Sequence, residues 1–261
     1  MSKRLSDEFL LGRVDWILRE TGQHKRPVPV DLQLICDKLG VSVEWRRMIP
    51  EGAVVENANG LSIYLQDNFQ SDPRTGRRQR FTWAHEICHA LFFQLDKKPP
   101  NPFPGTPKGA IIESMCQRGA GYLLLPQVLL ESLFGMSNPL ESIEQLNETA
   151  TKFEISAEVV LRRLSEHPEM FASHRGFLLV SSAGGNTERE MIRFYGGGSW
   201  VTGEIPAPKD GQALDEWTAL VNKSLKPLDK DRWLSRNKEV EITLSRGRPN
   251  SPILQLSAHL I

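Results

Sequence analysis

Residues 80–95 read RFTWAHEICHALFFQL. Two histidines, His85 and His89, stand four apart, and Glu86 directly follows the first. On an α-helix, positions i and i+4 lie on one face a turn apart, so both imidazoles can reach a single ion. Glu86, about 100° further round the helix, can reach a water on that ion. HExxH on a helix is the zincin signature. The same letters also describe two histidines at the edge of a core helix, one hydrogen-bonded and one exposed, so the surrounding residues have to decide.

A catalytic zinc needs a third protein ligand and an open fourth position for water. Glu113, 24 residues after His89, falls near the start of the next predicted helix. A carboxylate on a helix beside the HExxH helix is the partner expected in glutamate-type zincins. The plainer account is an acidic residue in a first turn, favoured there by the helix dipole.

Composition sets the frame for this site. A chain of 261 residues, 39% hydrophobic and 25% charged, has enough apolar material for one large domain or two smaller ones. Lys+Arg and Asp+Glu both number 32, so bulk charge points to no nucleic acid, membrane or acidic partner. The N-terminus lacks the apolar core of a secretory signal, and the longest uncharged run, Gly119 to Leu130, is too short for a span and holds Pro126. Cys36, Cys88 and Cys116 are widely spaced and odd in number, which suits a reducing compartment. A cytoplasmic protein with no membrane partner is expected.

Outward from the opening stretch, Leu5, Phe9, Val14, Ile17 and Leu18 predict an amphipathic first helix. Asp31 and Gly40 bracket a second, and VSVEW (41–45) reads as a strand. AVVENANGLSIYLQ (53–66) holds two β-like runs around Asn59-Gly60, a hairpin signal. DNFQSDPRTGRRQR (67–80) reads as a polar, basic loop. Five prolines between Lys97 and Lys108 predict an exposed, stiff loop, after which helix returns from Ala110 and stops at Pro126. A helix pair follows in residues 142–167, with Ser156 opening its second member. GFLLVSS, EMIRFYGG, VEITLS and PILQLSAHL, all beyond residue 170, are β-like.

Three ordered motifs carry a resemblance: RFTWAHEICHALFF (80–93), IIESMCQRGAGYLLLP (111–126) and LNETATKFEISAEVVLRRL (146–164). They resemble the ImmA/IrrE family of zinc metallopeptidases, whose pattern is an RFTxAHExxH helix, a second E-x-x-[AC]-x-x-x-A-x-x-L-L-x-P helix, and an LAxxFxVSxxAVxxRL segment. PVPVDLQLICDKLGVSV (27–43) is similar to the family's upstream helix and strand, so the likeness runs over about residues 29–165. Departures are Ile87-Cys88, where glycine usually precedes the second histidine, and Gly119 and Gly121, which weaken the second helix by about 1 kcal/mol each against alanine.

An α+β chain is expected: a mainly helical zincin-like domain with a small sheet (1–140) and a helix-turn-helix-like segment packed on it (141–170), as the resemblance implies, then a small β-rich C-terminal domain (171–261), read from its short β-like runs, which matches no part of the family and is sensory and GAF-like only by analogy. The resemblance implies one Zn²⁺ per chain on His85, His89 and Glu113, with Glu86 as the catalytic glutamate. The implied activity is site-specific cleavage of a partner, usually a helix-turn-helix transcriptional repressor, in DNA-damage, stress or mobile-element and phage-defence responses. The alternative is a non-catalytic DNA-binding or signal-sensing regulator with a structural zinc.

Other residues raise further expectations. Cys116, three after Glu113, is a candidate latent fourth zinc ligand, against the plainer account of a small buried thiol. Arg74, Arg77, Arg78 and Arg80 are candidate contacts for an acidic substrate segment or a nucleic-acid effector, or else only solvate a loop. The C-terminal region, with Trp200, Trp217, Trp233 and lysines 223, 226 and 230, is a further candidate site for a nucleic-acid or small-molecule effector. Arg162 and Arg163 are the only arginines of the helix pair, which favours packing or substrate docking over base reading. Tyr122 is set opposite Glu113 by helix geometry, and Tyr64 is read as a core or surface tyrosine.

Overall fold

Helix α1 (Asp7–Glu20) forms where apolar residues recur three and four apart, and it buries Leu10, Val14, Ile17 and Leu18. The computed structural model describes residues 5–25, 29–57, 60–67, 73–135, 138–171, 175–182, 190–196, 212–224, 226–229, 232–234, 240–246 and 253–260. The chain divides into two compact units: Met1–Ser132 with Thr149–Arg163, and Leu133–Glu148 with Leu164–Ile261. The architecture is α+β, as the sequence led us to expect.

In the first unit, α2 (Leu32–Leu39) starts where the Asp31 carboxylate accepts from the Leu34 amide, and it ends at left-handed Gly40. Strands β1 (Ser42–Arg46), β2 (Gly52–Asn57) and β3 (Gly60–Gln66) form a sheet in the order β1-β3-β2. β3 is central, antiparallel to β2 and parallel to β1, with Leu61, Ile63 and Leu65 buried at period 2. The expected hairpin is present, although Asn59 lies outside the described residues.

Helix α3 (Pro73–Ala90) begins earlier than the basic-loop reading allowed. Pro73 occupies the first helical position, where its missing N–H costs nothing, so residues 73–80 are the first two turns of the helix. The two-residue strands β4 (Phe93–Gln94) and β5 (Asn101–Pro102) pair within the proline-rich segment, and α4 (Ala110–Leu124) follows.

α4 packs on both α1 and α3. A Cβ on Gly119 would stand 2.9 Å from Cys88 Sγ of α3 and 2.9 Å from Leu10 Cδ2 of α1. The glycine that departs from an alanine-rich pattern is therefore what lets three helices meet. Helix α5 (Gln127–Leu133) follows Pro126, and α6 (Ile143–Lys152) and α7 (Ala157–Leu164) form the expected helix pair. Glu154 turns the chain at φ 53°, and Ser156 Oγ accepts from the Val159 amide at 3.3 Å.

In the second unit, the β-like runs become β6 (Arg175–Ser182), β7 (Glu190–Gly196), β11 (Val240–Arg246) and β12 (Ile253–Leu260). Three shorter strands, β8 (Gln212–Ala213), β9 (Lys226–Asp229) and β10 (Arg232–Leu234), complete a seven-stranded antiparallel sheet in the order β8-β7-β6-β12-β11-β10-β9. Helix α8 (Leu214–Ser224) packs on it with Trp217 and Val221 fully buried, so Trp217 belongs to a helix rather than to a run of strands. Gln255, buried on β12, accepts from the Ile143 amide at 3.0 Å and donates to the Glu141 carbonyl at 3.2 Å, closing the open start of α6. Trp200 and Lys230 lie outside the described residues. No helix among the described residues is long and apolar enough to cross a membrane.

Candidate metal centre

The last two turns of α3 and the first turn of α4 converge. His85 Nε2 lies 3.0 Å from His89 Nε2 and 3.2 Å from Glu113 Oε2, and His89 Nε2 lies 3.5 Å from Glu113 Oε1. One donor atom from each residue falls within 4.8 Å of the others, so the group can hold a metal ion. Burial lowers the pKa of His85, partly countered by Glu113. Burial, then the neighbouring His85, lowers that of His89. Both rings are therefore neutral near pH 7, the form that offers a lone pair to a cation.

Glu86 points from the same helix into a different setting. It is only 7% exposed, and burial, with a smaller contribution from the Glu113 charge, pushes its pKa up to about 7. Gly52, at the start of β2, lies directly against it: a Cβ there would stand 2.7 Å from Glu86 Cγ. The three donors and Glu86 line a cavity of about 720 Å³. One part of the lining is the start of β2, Gly52 to Val54, and another is the proline-rich segment, which contributes Pro102, Phe103, Thr106, Pro107 and Lys108.

The sequence reading missed both parts of the lining. The glycine that opens β2 was a usable signal, since glycine in a strand marks close approach of another group. The proline-rich segment gave none, because composition says that it is irregular and not where it lies. Its description as exposed is corrected for Pro100 and Pro107, which are buried, and Phe103 is fixed edge-on to Phe9 of α1, ring centroids 5.3 Å apart.

Cys116 is not brought to the cluster. It is fully buried, and burial, followed by the nearby Cys88, raises its thiol pKa far above the usual range. Three residues along a helix leave it rotated about 60° from Glu113, enough to turn it from the cavity into the core. The basic run is also largely engaged. Arg77 donates to Thr151 Oγ1 at 3.0 Å, Arg78 is gripped by Glu51, and Arg80 donates to the Val30 carbonyl and faces Glu154 at 4.0 Å. The side chain of Arg74 lies outside the described residues.

Tyr64 lies under the Arg46 guanidinium, 3.9 Å from the ring centroid, and Tyr122 under that of Arg163 at 3.4 Å. Neither lines the cavity. Arg163 is itself buried, donating to the Leu125 carbonyl and to Gln127, so it serves packing rather than an exposed surface.

Comparison with known proteins gives this geometry a context. Residues 62–165 match the model of the Peptidase_M78 family, the IrrE N-terminal-like domain. The match begins within β3, so residues 29–61, which resemble the family in sequence, lie outside it. Over 92 residues the chain is 36% identical to the Radiation response metalloprotease IrrE of Deinococcus deserti, covering 34% of this chain and 32% of that protein. The match thus spans about a third of the relative's length. A Mycobacterium tuberculosis transcriptional regulator aligns over 99% of this chain and 89% of its own, at 14% identity and a TM-score of 0.46, a likeness too low to bear on function.

Proposed function

We propose that this chain, whose residues 62–165 match the IrrE N-terminal-like domain, is a zinc-dependent endopeptidase of the ImmA/IrrE kind. Its substrate is a partner protein cut at a defined site, a helix-turn-helix transcriptional repressor by the family resemblance. The observation that carries the reading is the placement of Glu86, buried at the edge of a cavity beside three convergent metal donors.

The donor set fits zinc. Ligands at about 2.0–2.1 Å in a tetrahedron stand about 3.3 Å apart; His85 Nε2 lies 3.0 Å from His89 Nε2 and 3.2 Å from Glu113 Oε2, while His89 meets the other carboxylate oxygen, Oε1, at 3.5 Å. When bound, zinc supplies Lewis acidity, polarising a carbonyl and bringing the pKa of a water to about 7. His85, His89 and Glu113, which line the cavity together with Glu86, would hold the ion. Glu86 would take a proton from the attacking water at its carboxylate and return it to the leaving amine. The outer edge of β2 has no strand partner among the described residues. An extended peptide can add there as a further strand, laying its backbone along Gly52 to Val54 beside Glu86.

The test combines metal analysis with two variants. Glu86→Gln should keep zinc and lose cleavage, whereas His85→Ala should lose both. A biological effect that persists in Glu86→Gln would sink the peptidase reading in favour of a structural metal. If the adjacent reading frame encodes a helix-turn-helix protein, incubation with that protein tests the substrate.

A further inference from the structure

The Glu51 carboxylate ties the edge strand of the cleft to the helix that carries the reacting groups. Glu51 immediately precedes Gly52, the first residue of β2. Its Oε2 accepts from Arg78 Nε at 3.1 Å and from Thr82 Oγ1 at 3.2 Å, and its Oε1 meets Arg78 Nη2. The guanidinium is therefore held by two prongs, the geometry that fixes position as well as charge.

Arg78, Thr82 and Glu86 are spaced by fours on α3 and so lie in one row along the helix. That row faces the start of β2: a Cβ on Gly52 would stand 2.8 Å from Thr82 Cγ2 and 2.7 Å from Glu86 Oε1. The Glu51 carbonyl accepts from the Gln66 amide at 2.9 Å, while Gln79 of α3 donates to the Gln66 carbonyl at 3.2 Å. The neighbouring end of β3 is thereby tied to the same helix.

We propose that Glu51 is a positioning residue for the hydrolysis argued above, and the proposal rests on that reading. By gripping Arg78 and Thr82, Glu51 sets the separation of β2 from α3. It thereby sets where a substrate backbone on β2 stands relative to the Glu86 carboxylate. The side chains of Arg78 and Glu51 are 74% and 43% exposed, and ion pairs this open contribute little to stability. A mere surface pair would therefore leave both stability and turnover unchanged on removal. A positioning contact loses turnover alone, because displacements on the ångström scale are costly to the reaction rate.

The experiment compares the zinc-loaded full chain with Glu51→Ala and Glu51→Gln. The probe is an internally quenched peptide selected from a randomised set for cleavage by the wild type. Glu51→Ala should lower kcat by about tenfold or more with KM nearly unchanged, at equal zinc content and Tm. Glu51→Gln should recover part of the loss, since its one amide oxygen can still accept from Arg78 Nε and Thr82 while its NH2 cannot accept from Arg78 Nη2. Hydrogen exchange across Gly52–Asn57 should accelerate in the alanine variant and be partly restored in the glutamine variant. Equal kcat in wild type and Glu51→Ala overturns the proposal. A wild type that cleaves no peptide overturns the peptidase reading itself. The exchange data then still decide whether Glu51 holds β2: unchanged rates in Glu51→Ala overturn the clamp, and accelerated rates support it.

Discussion

Gly52 approaches Glu86 so closely that a Cβ on the glycine would stand 2.7 Å from both Cγ and Oε1 of the glutamate. The strand reaches the carboxylate only because that residue has no side chain. The backbone of β2 thus helps exclude water from Glu86, and burial is the first cause of its raised pKa.

Gly52→Ala should force either β2 or Glu86 to shift. Turnover is expected to fall by about ten- to a hundredfold, while zinc content stays at the wild-type level because no donor is touched. Kinetics with metal analysis check this. Full activity in the alanine variant would mean that the strand yields without disturbing Glu86.

The raised pKa of Glu86 makes a statement about stability in the metal-free protein. Its folded value is about 7 against an ordinary 4.5, so below 4.5 both states hold the proton and no penalty applies. As pH rises from 4.5 to 7 the unfolded chain releases the proton first, and stability is lost, by about 3 kcal/mol in full. His85 and His89, with lowered values, act oppositely and cost stability as pH falls through the ordinary histidine range. Urea melts of wild type and Glu86→Gln isolate the glutamate: their difference should change across pH 4.5–7. A constant difference would refute the assignment to burial.

Gly119→Ala places a methyl 2.9 Å from Leu10 and from Cys88, both buried on other helices. Overpacking costs about 1–3 kcal/mol, against about 1 kcal/mol of gain in helix propensity. The clash should win, because neither neighbour has solvent to move into. A lower Tm is expected, with partial recovery in the Gly119→Ala/Cys88→Ala double variant.

Zinc should raise the Tm of the metal-free protein, by an amount equivalent to about 2.7 kcal/mol at free zinc a hundredfold above Kd. Glu113→Ala, which removes one donor of the cluster, should make the melting temperature indifferent to zinc at the same concentration. Calorimetry with and without chelator reads both.

Much of this was legible because it is local. Helical spacing brings His85 and His89 to one face, Asp31 and Gly40 mark the ends of α2, and two β-like runs around a turn signal form the β2–β3 hairpin. What stayed hidden depends on residues distant in sequence. The arginines from 74 to 80 look like loop because they are polar and interrupted by Gly76, yet Pro73 starts a helix and Thr151 and Glu51 hold two of them. Gly119 reads as a weakness until Leu10 and Cys88 are seen on either side. Trp217 and Val221 carry a helical spacing that surrounding strands obscured.

Glu113 sits in the first turn of α4, while His85 and His89 close α3, with the proline-rich wall of the cavity between them in the chain. An ion shared by these three groups is a cross-link: it staples both ends of that excursion, as a disulfide closes a loop. Loading the metal would then complete the cleft's shape as well as its chemistry. Stripping it would slacken the proline-rich wall before the two helices that bracket it give way.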